Sequence, residues 1–431
     1  MTASEGGKKL FCFTLSVLTI LNGYAFFVAN GVSVSMIVST LYATYAFIFI
    51  LPNIKKFQGE GKKNFSLTFL SYVLFICIMS AFSVTLCRMD YPPSSSAMLY
   101  QIAKLGVWAV FITCAGSAFF DFNIFFGYMR KIIVIAFIYI LVQYFLFYVL
   151  HRNVPSAMNL GVIVPYYDSY GYDFSAESNF RPGALWVEPS FLGYYFNCFL
   201  ALSFFFKGKS EKNMVNKSLY ELMATIAIIL SFSTGAIGIM LFIYVVKMYK
   251  TSGSHLAVLI LCLLLAWLGI YLFLEYAPYE EWGNVGKVIK ITLYKLNHLD
   301  KNSRTGGSFS LLGQVPPLQR FFGFGVGNIT EFIKTFKGSE TTYTNSLVSL
   351  ILWNGFFGIA AFLVLIIAIW NNVSRSFALS FLLLLYVLGG AYSGMYYGAN
   401  GILYLTIIVN AMDSETVKDG APPGKIGNAV A

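Results

Sequence analysis

SLVSLILWNGFFGIAAFLVLIIAI, residues 346 to 369, carries no charged side chain from end to end. About 20 apolar residues in a helix cross the ~30 Å hydrocarbon core of a bilayer, so the stretch reads as a membrane span. Similar runs recur on both sides of it. They predict helices near residues 10–29, 31–51, 65–87, 99–119, 132–150, 189–206, 218–233, 235–250, 254–275, 346–369, 377–394 and 400–412, about twelve in all. The expected fold class is therefore an all-α polytopic membrane protein, a single integral domain over residues 1–412.

Composition agrees with that reading. Of 431 residues, 58% are hydrophobic and 11% charged, against roughly 45–50% and about 25% in a soluble domain. A mean hydropathy of +0.70, carried by 42 Phe and 29 Tyr, exceeds what one soluble core of this length can hide. A water-soluble fold, a disordered chain and a collagen-like repeat are all excluded.

The net charge of +10 is a topological signal. With the N-terminus inside, Lys55, Lys56, Lys62, Lys63, Arg130, Lys131, Lys207, Lys209, Lys212, Lys217, Lys247 and Lys250 all face the cytoplasm. Adding Lys8, Lys9, Arg375, Lys418 and Lys425 gives roughly 17 basic against about 8 acidic residues inside, with near balance outside. The excess follows the positive-inside rule and is not a nucleic-acid footprint. The start MTASEGGKKLFCF puts two Lys ahead of an apolar run that is long and lacks an Ala-x-Ala cleavage pattern, so a retained first helix is expected. Cys12, Cys77, Cys87, Cys114, Cys198 and Cys262 lie in or beside apolar runs without Cys-x-x-Cys spacing, which is the pattern of buried thiols.

Two outward segments, residues 151–188 and 276–345, exceed ordinary loop length, and long loops usually carry function. Within the second, NVGKVIKITLYKLNHL places Val285, Val288, Thr292, Leu296 and Leu299 on one helical face and Lys287, Lys290, Tyr294, His298 and Lys301 on the other. Such a helix lies in the membrane interface or packs on the bundle with solvated lysines. Residues 413–431, ending GAPPGKIGNAVA, read as a disordered cytoplasmic tail.

Familiar signatures fail. GFGVGN at residues 323–328 lacks the third glycine of a dinucleotide loop and follows Pro316, Pro317 and Arg320 in place of a strand. There is no Walker loop, no HExxH, no Asp-x-Asp pair, and His151, His255 and His298 have no ligand spacing. No metal or cofactor is expected. The ionisable groups of the spans, Lys104, Glu221 and Glu275, are read near helix ends, where they snorkel to the interface.

The richest constellation is NFRPGALWVEPSFLGYYF, residues 179–196, where a long loop re-enters the membrane. Pro189 suits the first helical turn, and Glu188 just before it suits the positive helix end. One reading makes Glu188 a cap paired with Arg181. The other makes Arg181 and Glu188 functional, because a planar guanidinium grips phosphate in bidentate fashion. A second set comprises Arg304, Arg320 and the glycines at 323, 325 and 327, which would let backbone N–H groups approach an anion or simply form a tight re-entrant turn. It leads into YTNSLVSLILWNGFFG.

In hydropathy over nearly the whole chain, in RPGALWVEPSFLG, in LSFSTGAIG at residues 230–238, in the spacing from Arg304 to GFGVG and in TNSLVSLILWNGFFG, the sequence resembles the O-antigen polymerases (Wzy type), within the superfamily that includes the O-antigen ligases. The resemblance implies a multi-spanning, GT-C-like, metal-independent membrane glycosyltransferase with two long periplasmic loops. It would polymerise undecaprenyl-pyrophosphate-linked oligosaccharide repeat units into O-antigen or capsular polysaccharide at the periplasmic face of the bacterial inner membrane. A flippase and a chain-length regulator of the same lipopolysaccharide pathway would be its partners, with no nucleic acid.

Carried onto matching positions, Arg181 and Arg304 would bind the donor pyrophosphate, with Arg320 a third candidate from local context. Thr344 before Asn345 stands where the ligases often have His, which favours the polymerase branch and removes a candidate base. Thr234 in Ser-Thr-Gly stands where many members have Arg. Glu188 is then the first choice to accept the acceptor's hydroxyl proton, with His298 and Asp300 second. The catalytic candidates are thus Glu188, Arg181 and Arg304, and the substrate-binding candidates Arg320, His298, Tyr194 and Asn345. Tyr166, Tyr167, Tyr170, Tyr172, Trp186 and Trp282 would stack on sugars or sit in an interfacial belt. The competing readings are a lipid-linked oligosaccharide flippase or transporter, which predicts broken helices and polar residues at the midplane, and an O-antigen ligase, which differs in acceptor.

Overall fold

The computed structural model describes residues 4–26, 32–52, 60–86, 95–152, 163–165, 181–206, 216–252, 286, 306–337 and 344–411. Helix α1, Glu5–Leu21, starts at Ser4, whose hydroxyl accepts from the Gly7 N–H. It stops at Asn22 and Gly23, well short of the residue 29 expected from hydropathy, because the chain turns into strand β1, Tyr24–Phe26. That strand pairs antiparallel with β2, Ile163–Pro165, in the register Tyr24↔Pro165 to Phe26↔Ile163. Backbone partners across the ribbon, invisible in a hydropathy profile, thus override an apolar run.

Helix α2, Val34–Tyr45, is capped by Ser33 and continues as a π-helix, Ala46–Ile50. Then come α3, Glu60–Leu86, and α4, Ser95–Val110, which passes through a second π-helix, Phe111–Ala115, into α5, Gly116–Phe119. Asp121 caps α6, Phe122–Tyr148. The second half holds α7 (Pro189–Phe205), α8 (Lys217–Leu230), α9 (Thr234–Ser252), α10 (Gly306–Gly313), α11 (Pro317–Phe322), α12 (Thr330–Lys337), α13 (Ser346–Val373), α14 (Phe377–Tyr392) and α15 (Ala399–Asn410). Helix therefore occurs in each expected segment, in the first only as far as Leu21, except 254–275, which lies outside the described residues together with the amphipathic stretch 284–299 (Gly286 aside) and the tail.

Among the described residues, four helical segments are long and apolar enough to cross a membrane: Ser66–Thr85, Ser96–Phe119, Phe122–Tyr148 and Ser346–Val373. Leu41, Leu67, Leu74, Ile135, Val364 and Ile367 stand exposed on α2, α3, α6 and α13. Soluble monomers rarely present so much contiguous apolar surface. Lipid is the medium that tolerates it, and the chain is an all-α membrane protein.

The centre of the bundle is α15, in which all of residues 399–410 are buried, as a helix apolar all round must be. It packs on α1, α3, α7, α13 and α14. Its polar residues have structural duties. A π-helix disturbs the i to i−4 ladder and exposes carbonyls, and Asn410 Nδ2 donates to Ile112 O in the π segment at 3.1 Å and to Thr406 O at 2.9 Å. Ser117 Oγ donates to Asn410 Oδ1 at 3.4 Å. Asn410→Leu leaves the Ile112 carbonyl without that donor, so it should destabilise the purified chain by about 1–3 kcal/mol; thermal unfolding in detergent measures this, and an unchanged midpoint would refute it.

Cations gather at one end of the bundle. Lys247 Nζ lies 3.5 Å from the Phe204 ring centroid and Lys250 Nζ 3.4 Å from that of Phe377, while Arg130 stacks over Tyr220. Glu221 also belongs there, accepting from Ser203 Oγ at 2.7 Å with Lys247 at 3.9 Å. Lys104 departs from expectation. Because α4 begins at Ser95, Lys104 sits nine residues in, roughly 13 Å along the axis. Its ammonium does not snorkel towards that helix start; it lies over Trp108, one turn further in, 4.5 Å from the ring centroid.

Candidate functional site

Helix α7 ends among the cations, at Phe204 and Phe205, so its first residue, Pro189, lies at the opposite end of the bundle. The chain reaches Pro189 through residues 181–188, a turn held from three sides. From α6, Gln143 Oε1 accepts from the Ala184 N–H at 3.2 Å, which fixes Ala184 at φ +50°. From α1, Thr19 Oγ1 accepts from Trp186 Nε1 at 2.9 Å, and Gly23 leaves room for Val187. On α7 itself, the Tyr195 and Phe196 rings pack on Trp186 at 5.1 and 5.7 Å.

Trp186 is wholly buried by this arrangement. It is a strut of the turn and offers no face to a sugar or to the membrane interface, the two roles considered for it. Arg181 and Glu188, at the two ends of the turn, are half-buried. Glu188 occupies the N-cap position with extended backbone, yet its side chain makes no capping bond. Instead, Ser190 Oγ donates to Glu188 Oε2 at 2.9 Å. The side-chain capping hydrogen bond expected of this carboxylate is thus absent. The carboxylate is kept beside the positive end of α7, where it can accept a proton or a sugar hydroxyl.

Below the turn, α7 is packed for close approach. Gly193 meets the Ala236 methyl of α9, and Asn197 Nδ2 donates to Ala236 O at 2.9 Å. Small residues that bring helices together are the usual solution in membranes, and they explain the Ala236 of LSFSTGAIG. Tyr194 is buried beside Gly389 of α14, and its carbonyl accepts the Tyr404 hydroxyl at 2.9 Å. Its position is that of a core residue.

The glycine segment is a second structure, distinct from an open anion cradle. Gly323, Gly325 and Gly327 all have φ between 73° and 84°. Their segment docks on α13 where that helix is broken at Gly355, with φ 60° and ψ −156°. The Phe324 N–H donates to Leu352 O and the Gly325 N–H to Trp353 O, both at 2.8 Å. The Val326 N–H donates to Ser80 Oγ at 3.1 Å, and Ser83 Oγ donates to Phe322 O at 2.6 Å. The Gly323 N–H is taken by Gln319 O at 2.8 Å. Four N–H groups expected to face an anion are therefore committed to protein acceptors. The glycines serve backbone contact: a Cβ at Gly323 would meet the Trp353 carbonyl, and one at Gly355 the Phe321 carbonyl.

Arg320, in the last turn of α11, is exposed, and its Nε donates back to Val315 O at 2.9 Å. Asn345 is buried and caps α13, its Oδ1 accepting from the Val348 N–H at 2.8 Å. Arg320 and Asn345 belong to the α11–α13 unit, whereas Arg181 and Glu188 belong to the turn on α1, α6 and α7. Arg304, His298, Asp300, Tyr166, Tyr167, Tyr170, Tyr172 and Trp282 lie outside the described residues. Gln143 and Thr19 were missed as supports of the turn; the signal for Gln143 was a lone amide within FIYILVQYFLFY. No protein-family model matches the chain, and no curated protein does.

Proposed function

We propose that the chain is a membrane glycosyltransferase that joins lipid-pyrophosphate-linked oligosaccharide repeat units into an O-antigen or capsular polysaccharide, at the periplasmic face of the bacterial inner membrane. The observation that carries this reading is the turn 181–188, which holds a guanidinium and a carboxylate on a buried, hydrogen-bonded support at the bundle end opposite the cations. With those cations inside, as the positive-inside rule requires, the turn faces outward. About twelve spans then complete the domain.

In the proposed reaction the acceptor sugar's hydroxyl oxygen attacks the anomeric carbon of the donor chain. The bond from that carbon to undecaprenyl pyrophosphate breaks, the electron pair leaves with the pyrophosphate, and Glu188 takes the hydroxyl proton. Negative charge grows on the pyrophosphate as the bond breaks, so fixed Arg181, with Arg304, stabilises the transition state more than the ground state.

The test is to incubate the purified full chain, with EDTA present, with the cognate lipid-linked repeat unit and to resolve products by size. A ladder spaced by one repeat is expected. Arg181→Ala should slow it by about 10²–10³-fold, and Glu188→Gln should be folded but inactive. Unchanged repeat unit from folded wild-type protein would overturn the proposal. Transfer of finished polymer to lipid A core would instead identify a ligase, and passage of repeat units across a vesicle without joining a transporter.

A further inference from the structure

A cation inside a membrane span is expensive and almost always pairs with something, and Lys104 is such a cation, half-buried on α4. Among the described residues, no carboxylate pairs with Lys104. Its ammonium rests over the Trp108 ring, and Trp108 Nε1, buried, has no acceptor among the described residues. The same is true of Ser39 Oγ on α2, which is completely buried. Helices α2 and α4 pack side by side and run parallel, since their π-helical segments also pack on each other. The Tyr42 and Phe111 rings lie 6.0 Å apart, so Ser39 and Trp108, each three residues earlier, stand level.

Two obligate donors and a hydroxyl thus stand at about one level of the bundle without an acceptor among the described residues. A metal ion or proton relay needs oxygen or carboxylate ligands, whereas donors call for an anion. A free anion would have to shed its hydration to reach this depth. An anion carried on a lipid is anchored to the bilayer by its chains and so concentrated beside the helices, and Leu99 and Tyr100 on α4 are exposed. We infer that Lys104, Trp108 and Ser39 form an intramembrane site for the phosphate group of a lipid headgroup. The inference rests on the polymerase reading only for its choice of probe.

The experiment is native mass spectrometry of the full chain in detergent, with undecaprenyl pyrophosphate, undecaprenol and phosphatidylglycerol titrated separately and folding checked by thermal unfolding. Wild type should bind undecaprenyl pyrophosphate about tenfold or more tightly than undecaprenol. Lys104→Met should lower that preference several-fold, Lys104→Arg should keep it, and Trp108→Phe, which keeps a smaller aromatic ring and removes the N–H, should also weaken it.

Equal binding of phosphatidylglycerol would support the site and name the bulk phospholipid as its source; a clear excess of undecaprenyl pyrophosphate would name the polyprenyl carrier. No preference of the wild type for phosphorylated lipid, or a preference untouched in Lys104→Met, overturns the inference. Should Lys104→Met fail to fold, Trp108→Phe decides, with unaltered preference counting against the site. Binding is read without turnover, so a chain that makes no ladder but whose preference falls in Lys104→Met refutes the polymerase and keeps the site.

Discussion

Gly355→Ala should lower the stability of the purified chain by roughly 3–5 kcal/mol, the sum of two independent penalties. The first is conformational: φ 60° with ψ −156° lies in a region populated almost only by glycine. The second is steric. A methyl group at this position would meet the carbonyls of Phe321 and Arg320, and these are backbone atoms of a segment itself pinned to Leu352 and Trp353. A flexible side chain could swing away, but a hydrogen-bonded backbone cannot. Gly127→Ala is the matched control, because Gly127 is helical and a Cβ there meets nothing within 4 Å; it should be neutral or gain about 0.5–1 kcal/mol. Thermal unfolding of both variants by far-UV circular dichroism in one detergent makes the comparison. Equal midpoints for the two alanine variants would refute the account of the break.

Trp186→Ala should be nearly as damaging, at about 3–5 kcal/mol for a buried tryptophan. It removes the ring between Tyr195 and Phe196 and the bond to Thr19. Trp186→Phe keeps an aromatic ring and loses the donor with part of the ring's volume, so it should cost less than Trp186→Ala, about 1–3 kcal/mol. Thr19→Val removes the same bond from the other side. The double variant Thr19→Val/Trp186→Phe should therefore cost less than the sum of the singles, since contacting residues are not additive; strict additivity would show that the bond contributes nothing. Activity should fall with the ring, because Arg181 and Glu188 are placed by the turn that Trp186 supports.

Much of the helical frame was legible because lipid imposes a single rule, an unbroken apolar run, and α3, α6 and α13 obey it. The exceptions are places where distant backbone decides. Strand β1 sits in an apolar run and is defined by residues some 140 positions away, Ile163–Pro165. The break in α13 depends on carbonyls meeting N–H groups from residues 324 and 325, a pairing that no local pattern encodes. Lys104 stands further from a helix end than expected because α4 starts at Ser95, before the hydropathy rises near residue 99. At the candidate site, Pro189 marked the start of the helix correctly. The true role of Trp186 was hidden, since an aromatic beside a loop looks the same in sequence whether it faces sugar or Thr19.

The docking of residues 323–325 on broken α13 also bears on how the protein is made. A helix interrupted about 13 Å from its start exposes peptide carbonyls, and lipid offers them no donor. The donors here precede the helix in the chain, and translation delivers the N-terminal part first. When residues 346–373 emerge from the ribosome, the glycine segment has already been synthesised. A permuted gene that places the segment after α13 would leave the nascent span broken and unsatisfied, and insertion of that one helix is the step that should fail.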